Sequence, residues 1–308
     1  MFNLERSGLV KKLFFLLLLT IISSFVFIGC SENSKTKTII IGSKPFNEQY
    51  IVANMMAILL RKNGFNVEIK QGLGGSLINF EALKKDQIDA YLEYTGTAYN
   101  VILKLPPLKN WNPDYVYEKS KEEMLSKYSI LTIAKLGFRD DYAIAIKKDF
   151  AQKHDINNLS ELSNYAPSMT LGTDPEFATR QDGLPRIKEI YGYKFGNVKQ
   201  MEPTLMYEAI KNNQVNAISS YTTDSRVDMF GLKVLEDNKS ALPPYDAIII
   251  VNKNFAEKYP EAIKILQKLN NVINTDEMRA LNYKFDAEKE SADSIAKEFL
   301  IKKGLIKD

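Results

Sequence analysis

From residue 38 onward the chain alternates short β-branched runs with stretches of helical spacing, and this alternation restricts the fold more than any other feature. Thr38 to Ile41 is a β-branched run ending at Gly42. From Glu48 the spacing turns helical, with Ile51, Met55, Ile58 and Leu59 on one face, and Gly64 stops that helix. Val67 and Ile69 alternate with charged residues as a second strand, which completes a strand-helix-strand unit. The period then repeats: GLGGS at 72–76 opens a helix through Leu77, Phe80, Ala82 and Leu83, and Ile88 to Tyr94 reads as the next strand. Such alternation predicts a mainly parallel sheet covered by helices on both faces.

A second alternating block begins near Phe138, with strands predicted at Tyr142–Lys147, Met169–Gly172, Val215–Ser219 and Lys233–Leu235. Its clearest helix runs from Thr204 to Asn212, with Leu205, Met206, Ala209 and Ile210 on the apolar side. After Pro243-Pro244 come a strand at Ala247–Val251 and mostly helical sequence to the end. The expected fold class is therefore α/β with two lobes and a ligand cleft between them. Residues 38–137 plus 246–308 would form one lobe and 138–245 the other, with crossings near 137 and 246 acting as hinges.

The first thirty residues read as an export signal. Arg6, Lys11 and Lys12 give a positive start, Leu13 to Phe27 is apolar apart from Thr20, Ser23 and Ser24, and Gly29-Cys30 closes the segment. That stretch is marginal for a span, and the polar run SENSKTK after it lacks stop-transfer character. Residues 31–37 then serve as a tether. Cys30 is the only cysteine of 308 residues, so disulfides within the chain are excluded. A Gly-Cys at the end of an export segment resembles the lipobox of bacterial lipoproteins, in which the cysteine carries lipid; here Phe27 replaces the usual leucine, and the alternative is a free thiol in a simple membrane anchor. Loss of residues 1–30 lowers the formal net charge from +3 to +1, because they hold three basic residues and one acid. No dense basic face argues for a nucleic-acid partner.

In an open α/β sheet, ligands bind beyond the carboxyl ends of the strands. The residues at the ends of these strands are Ser43-Lys44, Tyr94 with Thr95 and Thr97, Asp140-Asp141-Tyr142, Glu176 and Arg180, Tyr221 with Thr222 and Thr223, and Tyr245. Four tyrosines with an arginine and a lysine suit a trimethylammonium solute, which has no N–H to donate and is held by aromatic faces at about 0.5–2 kcal/mol each. Arg180, Lys44 and the Thr97 hydroxyl suit a carboxylate at the solute's other end. The plain alternatives are tyrosines that pack a rim with wet hydroxyls, and solvated surface charges. Asp224 and Arg226 read either as ligand contacts or as a pair shaping the loop below Tyr221; Glu93 and Glu176 read either as an acid pair or as partners of Lys44 and Arg180. GLGGS lacks the Gly-Lys-Ser/Thr of a phosphate loop and reads as a turn before a helix. His154, the single histidine, lies in a polar segment and reads as a surface residue, so neither catalysis nor a metal or cofactor is expected.

The segments GSKPFNEQYIVANM, GGSLINFEALKKDQIDAYLEYTGTA, LGTDPEFATRQDG and SSYTTDSR followed by PPYDA resemble the glycine betaine/carnitine/choline-binding family over essentially the whole chain after residue 37. The resemblance implies the type II periplasmic-binding-protein fold. It implies a cage of Tyr94, Tyr142, Tyr221 and Tyr245, a polar backbone contact from Asp140, and a carboxylate end at Lys44, Thr97 and Arg180. It implies as partners a small zwitterionic or cationic solute and an ABC permease with a cytoplasmic ATPase, for a monomeric, lipid-anchored extracytoplasmic protein that takes up an osmoprotectant and is not an enzyme. The chain departs from the family at Asn47, where threonine is common, at Ser225, where glycine is usual, and in the more charged stretch Arg139-Asp140-Asp141. A binding protein for choline or another small solute, and a surface adhesin-like lipoprotein, are the alternatives.

Overall fold

Two five-stranded sheets organise the computed structural model, which describes residues 38–307. The export segment, Cys30 and the tether lie outside the described residues. The first sheet has the order β2-β1-β3-β10-β4, from Ile39–Gly42 (β1), Val67–Lys70 (β2), Ala90–Tyr94 (β3), Ile130–Arg139 (β4) and Asp246–Asn252 (β10). The second has the order β7-β6-β8-β5-β9, from Tyr142–Lys147 (β5), Thr170–Thr173 (β6), Asn197–Gln200 (β7), Ala217–Tyr221 (β8) and Leu232–Leu235 (β9).

Both sheets are mixed, not mainly parallel as the alternation predicts. Strand β1 runs parallel to β2 and β3, but β10 is antiparallel to β3 and β4. In the second sheet β6 is parallel to β7 and β8, whereas β5 is antiparallel to β8 and β9. The reversed strands are the first element after the chain leaves the first sheet and the first after it returns. A strand that arrives from the neighbouring sheet enters at the carboxyl ends of its new neighbours, so it must run against them.

The helices that bear on the site are Asn47–Lys62 (α1), Ser76–Lys84 (α2), Pro113–Tyr128 (α3), Pro175–Thr179 (α4), Leu184–Tyr191 (α5), Pro203–Lys211 (α6), Thr275–Asp286 (α7) and Ala292–Lys302 (α8). Every residue of α1 from Ile51 to Leu60 is buried, not one face alone, because the first sheet lies beneath it and α7 and α8 pack over it. Each large aliphatic side chain so buried contributes roughly 1.5–3 kcal/mol. Strand β10 faces apolar layers on both sides: Ala247, Ile249 and Val251 join the layer of α1, while Ile248 and Ile250 join Phe80, Leu83 and Met124 from α2 and α3. Such two-sided burial explains its continuous apolar run. Leu77 and Leu205, expected on apolar faces, are exposed. Both sit in the first turn of their helices, beside Ser76 and Glu202 at the rim of the cleft, where no opposing layer reaches them.

Strand β4 has no counterpart in the predicted elements. Gly137 at φ +106° interrupts it, and two register shifts against β10 break its alternation. The chain crosses between the sheets at Asp140-Asp141, where Asp140 N donates to Tyr245 O at 3.1 Å and Tyr245 N to Asp141 Oδ1 at 2.8 Å. Beside this crossing α7 grips the loop after β8. Arg279 Nε and Nη2 donate to Thr222 O at 3.0 and 2.8 Å, and Asn282 Nδ2 donates to Thr223 O at 3.0 Å. Asp286 Oδ2 accepts from Ser225 Oγ at 3.0 Å and from Asn47 Nδ2 at 2.8 Å, so two of the departures from the family pattern meet on one carboxylate.

Candidate functional site

A cavity of about 480 Å³ opens between the two sheets, and Lys44, Tyr94, Thr97, Asp140, Tyr142, Arg180, Tyr221 and Tyr245 all line it. The strands place them: Lys44 follows β1, Tyr94 ends β3, Tyr142 opens β5, Tyr221 ends β8, and Tyr245 precedes β10. In the antiparallel pair β5/β8, Tyr142 and Tyr221 are direct register partners, so their rings meet with centroids 4.9 Å apart. Tyr245 stands edge-on to Tyr142 at 5.4 Å. It can come this close because Gly96 lies against it; a Cβ there would fall 2.8 Å from both Pro244 O and the Tyr245 ring.

Arg180 follows α4, whose first turn is capped by Asp174 accepting from Phe177 N at 2.9 Å. Its guanidinium donates through Nε and Nη2 to the two oxygens of Asp182 at 2.8 and 2.6 Å, and through Nη2 to Tyr245 Oη at 3.5 Å. The same guanidinium lies 5.6 Å from the centre of the Tyr142 ring. Glu176 is a more distant partner at 3.4 Å. Of the two readings the sequence leaves open for Glu176, an acid pair with Glu93 or a partner of Arg180, the second holds only weakly: the principal partner of Arg180 is Asp182, two residues on.

The opposite wall is built on α1 and β3. Lys44 is buried, donates to Glu93 Oε1, and lies 4.6 Å from the centre of the Tyr94 ring. Its charge is thus matched inside the protein, in keeping with Glu93 as its partner. Tyr94 Oη donates to Glu48 Oε1 and accepts from Gln49 Nε2 at 3.3 Å, and the ring stacks on Phe46. Glu48 and Asn282 also line the cavity, with Asn282 Nδ2 donating to Glu48 Oε2 at 3.2 Å. Asp140 Oδ1 accepts from Thr223 Oγ1 at 2.6 Å. Burial pushes the carboxyls of Glu48 and Asp140 above the usual range, and for Asp140 the nearby Glu48 adds to the rise. Asp224 and Arg226 form a pair at 2.6 Å on the loop below Tyr221.

Glu48 and Asn282 escape a census of strand ends, since one sits in the first turn of a helix and the other on a helix near the end of the chain. His154 is half-buried between Phe150 and Tyr165, at 4.5 and 4.9 Å, and does not line the cavity. Among the described residues no group of three or more His, Cys, Asp or Glu side chains is placed to hold a metal ion.

The acidic side chains lining the cavity, Glu48, Asp140, Asp174, Glu176, Glu202 and Asp224, outnumber the basic ones, Lys44, Arg180 and Arg226. Aromatic faces and surplus acid make a site whose electrostatics suit a small cation, and each of the two guanidiniums that line it already holds an acid, Asp182 or Asp224.

Residues 37–302 match the family model described as the substrate binding domain of ABC-type glycine betaine transport system. The chain is 31% identical over 297 residues to the carnitine transport binding protein OpuCC of Listeria monocytogenes, covering 94% of this chain and 95% of that one. It is 34% identical over 270 residues to the ergothioneine transport permease/ergothioneine binding protein EgtU of Helicobacter pylori, covering 87% of this chain and about half, 48%, of that longer protein. The fold superposes with a TM-score of 0.78 on the crystal structure of a glycine betaine/carnitine/choline ABC transporter protein, at 28% identity, covering 87% of this chain and 99% of that one. With its two α/β lobes in the type II periplasmic-binding-protein arrangement, the chain belongs to the family of substrate-binding domains of ABC-type glycine betaine transport systems.

Proposed function

We propose that this protein captures a small quaternary-ammonium solute of the glycine betaine and carnitine class outside the cytoplasm and delivers it to an ABC permease driven by a cytoplasmic ATPase. The observation that carries this reading is the gathering of Tyr94, Tyr142, Tyr221 and Tyr245 around one acid-rich cavity. In it, Tyr142, Tyr221 and Tyr245 face the trimethylammonium group together with Tyr94, and Asp140 adds a polar contact. At the carboxylate end Arg180, paired with Asp182 but with its side chain 20% exposed, is the leading group and Thr97 its companion, whereas Lys44 is paired with Glu93 and only 7% exposed. The lobes, residues 38–137 with 246–308 and residues 138–245, hinge at the crossings. Solute docks first on Tyr94 and its neighbours, and closure brings Tyr142, Arg180 and Tyr221 onto it.

Cys30 carries the lipid that anchors the protein to the cell membrane, residues 31–37 are its tether, and the protein works as a monomer. Cys30→Ser should release it from the membrane fraction. We read the chain as a binding protein and not an enzyme, so bound solute should be recovered unchanged.

Calorimetric titration with glycine betaine, carnitine, choline and ergothioneine tests the reading. Ergothioneine belongs in the set because it is itself a trimethylammonium betaine and gives its name to a relative. Saturable binding of at least one of them, weakened by about tenfold or more in Tyr221→Ala, is the expected result. Failure of a folded protein to bind any of the four would sink this reading and return attention to another solute or to a surface adhesin.

A further inference from the structure

Asp182 holds two of the residues that line the cavity without lining it itself. Its side chain is 8% exposed. Oδ1 accepts from Arg180 Nε at 2.8 Å, and Oδ2 accepts from Arg180 Nη2 at 2.6 Å and from Tyr245 Oη at 2.8 Å. The turn that brings the acid there is tightly packed: Gly183 N donates to Arg180 O at 3.0 Å, and a Cβ on Gly183 would fall 2.4 Å from Phe177 O. We propose that Asp182 is a specificity-determining residue, an assignment that rests on the quaternary-ammonium reading above. It keeps the Nε side of Arg180 at all times, leaves the Nη1 side to the carboxylate of the solute, and by its charge lowers the preference of the site for carboxylate-bearing solutes over carboxylate-free ones.

A guanidinium has five N–H donors and presents more than one edge to a carboxylate. The edge formed by Nε and Nη2 of Arg180 is filled by the two oxygens of Asp182. The edge formed by Nη1 and Nη2 has only longer contacts, Glu176 Oε2 at 3.4 Å and Tyr245 Oη at 3.5 Å. Glu176 is 74% exposed, and an ion pair so open to water is weak, so a solute carboxylate can take its place. Asp182 cannot be displaced in the same way, because that would strand a buried carboxylate without its cation. The solute carboxylate therefore approaches a guanidinium whose charge is already offset by an acid at 2.6 Å. The same negative charge favours a solute that carries the cation alone. Both effects push the affinity ratio of glycine betaine to choline downward.

Asp182→Asn keeps the shape of the side chain and removes its charge. Calorimetry with glycine betaine and with choline should then show the affinity ratio moving toward glycine betaine by about tenfold. Loss of support for Arg180 and Tyr245 alone would weaken binding and would not raise that ratio, so an unchanged or lower ratio in the folded variant overturns the assignment. A second measurement uses the native protein and decides the matter even if that variant does not fold: nitrogen-15 NMR of the arginine side chains, with the Arg180 signals identified by their absence from Arg180→Lys. Saturating glycine betaine should shift the Nη resonances of Arg180 and leave its Nε–H resonance near the free position, while choline should move the Nη resonances less. An Nε–H resonance that moves as far as the Nη ones means that the solute displaces Asp182, which overturns the assignment. If the native protein binds neither solute, the quaternary-ammonium reading fails and the role of Asp182 fails with it; native binding without the ratio change removes the role of Asp182 alone.

Discussion

Replacing Lys44 by methionine should destabilise the protein by about 3–5 kcal/mol, the range for removing one partner of a buried ion pair. Lys44 and Glu93 have side chains 7% and 0% exposed, so water cannot take over the work of the lost ammonium. Methionine keeps the apolar stem against Tyr94 and removes the charge. Glu93 would be left with Tyr91 Oη at 3.1 Å and the Tyr94 N–H at 2.9 Å as its donors, too few to hold an ionised carboxylate in that place. Urea denaturation at neutral pH measures the loss. The double variant Lys44→Met with Glu93→Gln removes both charges and should recover at least half of it. The double variant should also still bind glycine betaine, since Arg180 and Thr97 lead at the carboxylate end. If the double variant is as unstable as Lys44→Met alone, the pair is not what stabilises this wall. If it is stable but no longer binds, Lys44 reaches the solute directly and the assignment of its charge to Glu93 is incomplete.

Further outcomes follow from the same geometry. Arg180→Lys gives up the two-point hold on Asp182 and the approach to the Tyr142 ring, so it should weaken glycine betaine binding by about tenfold while affecting choline, which has no carboxylate, much less; parallel titrations read the difference. Asp286→Ala removes the acceptor shared by Ser225 and Asn47 and should weaken binding of every solute by a similar factor, about tenfold, with their ranking kept and a larger radius in solution scattering. Thermal melts of the free protein and of Glu48→Gln, compared at each pH, should show the free protein losing stability relative to the variant as pH rises. Burial raises the folded-state values of Glu48 and Asp140, so their relative contribution is fully present below the ordinary carboxylate range and is lost as pH climbs through the raised values. A flat difference from pH 4 to 8 would contradict that direction.

The clearest sequence signals came from strands buried on both faces. Tyr142–Lys147 is continuous apolar sequence bounded by charge, and its predicted limits are the observed ones. The tyrosines were visible for a related reason, because each lies where such a run begins or ends. Strand β4 was hidden by its own irregularity, a glycine at φ +106° and two register shifts at the edge of the sheet. Strand β7, NVKQ, is a short, mostly exposed edge with no apolar alternation to detect. Glu48 and Asn282 were out of reach for another reason. Their place in the cavity depends on α1 and α7 lying side by side, 234 positions apart in sequence, and no local pattern encodes that neighbourhood. The partner of Arg180 is hidden in the sequence because it depends on where the chain turns: it leaves α4 at Arg180 and brings Asp182 back to the guanidinium.

The position of β10 bears on how the molecule reaches this form. It lies between β3 and β4, and Asp246 N bonds to Thr95 Oγ1 across 151 residues, so the first sheet lacks the inner strand that joins β4 to β3 until the chain beyond the second sheet has arrived. The second sheet uses only the continuous stretch from 142 to 235 and can assemble as soon as that stretch is available. Folding should therefore run inward from the middle of the chain, with the first sheet held open at β3 and β4 until β10 slots between them. During that interval two unpaired strand edges are exposed, which makes this the stage most open to aggregation and to capture by a chaperone.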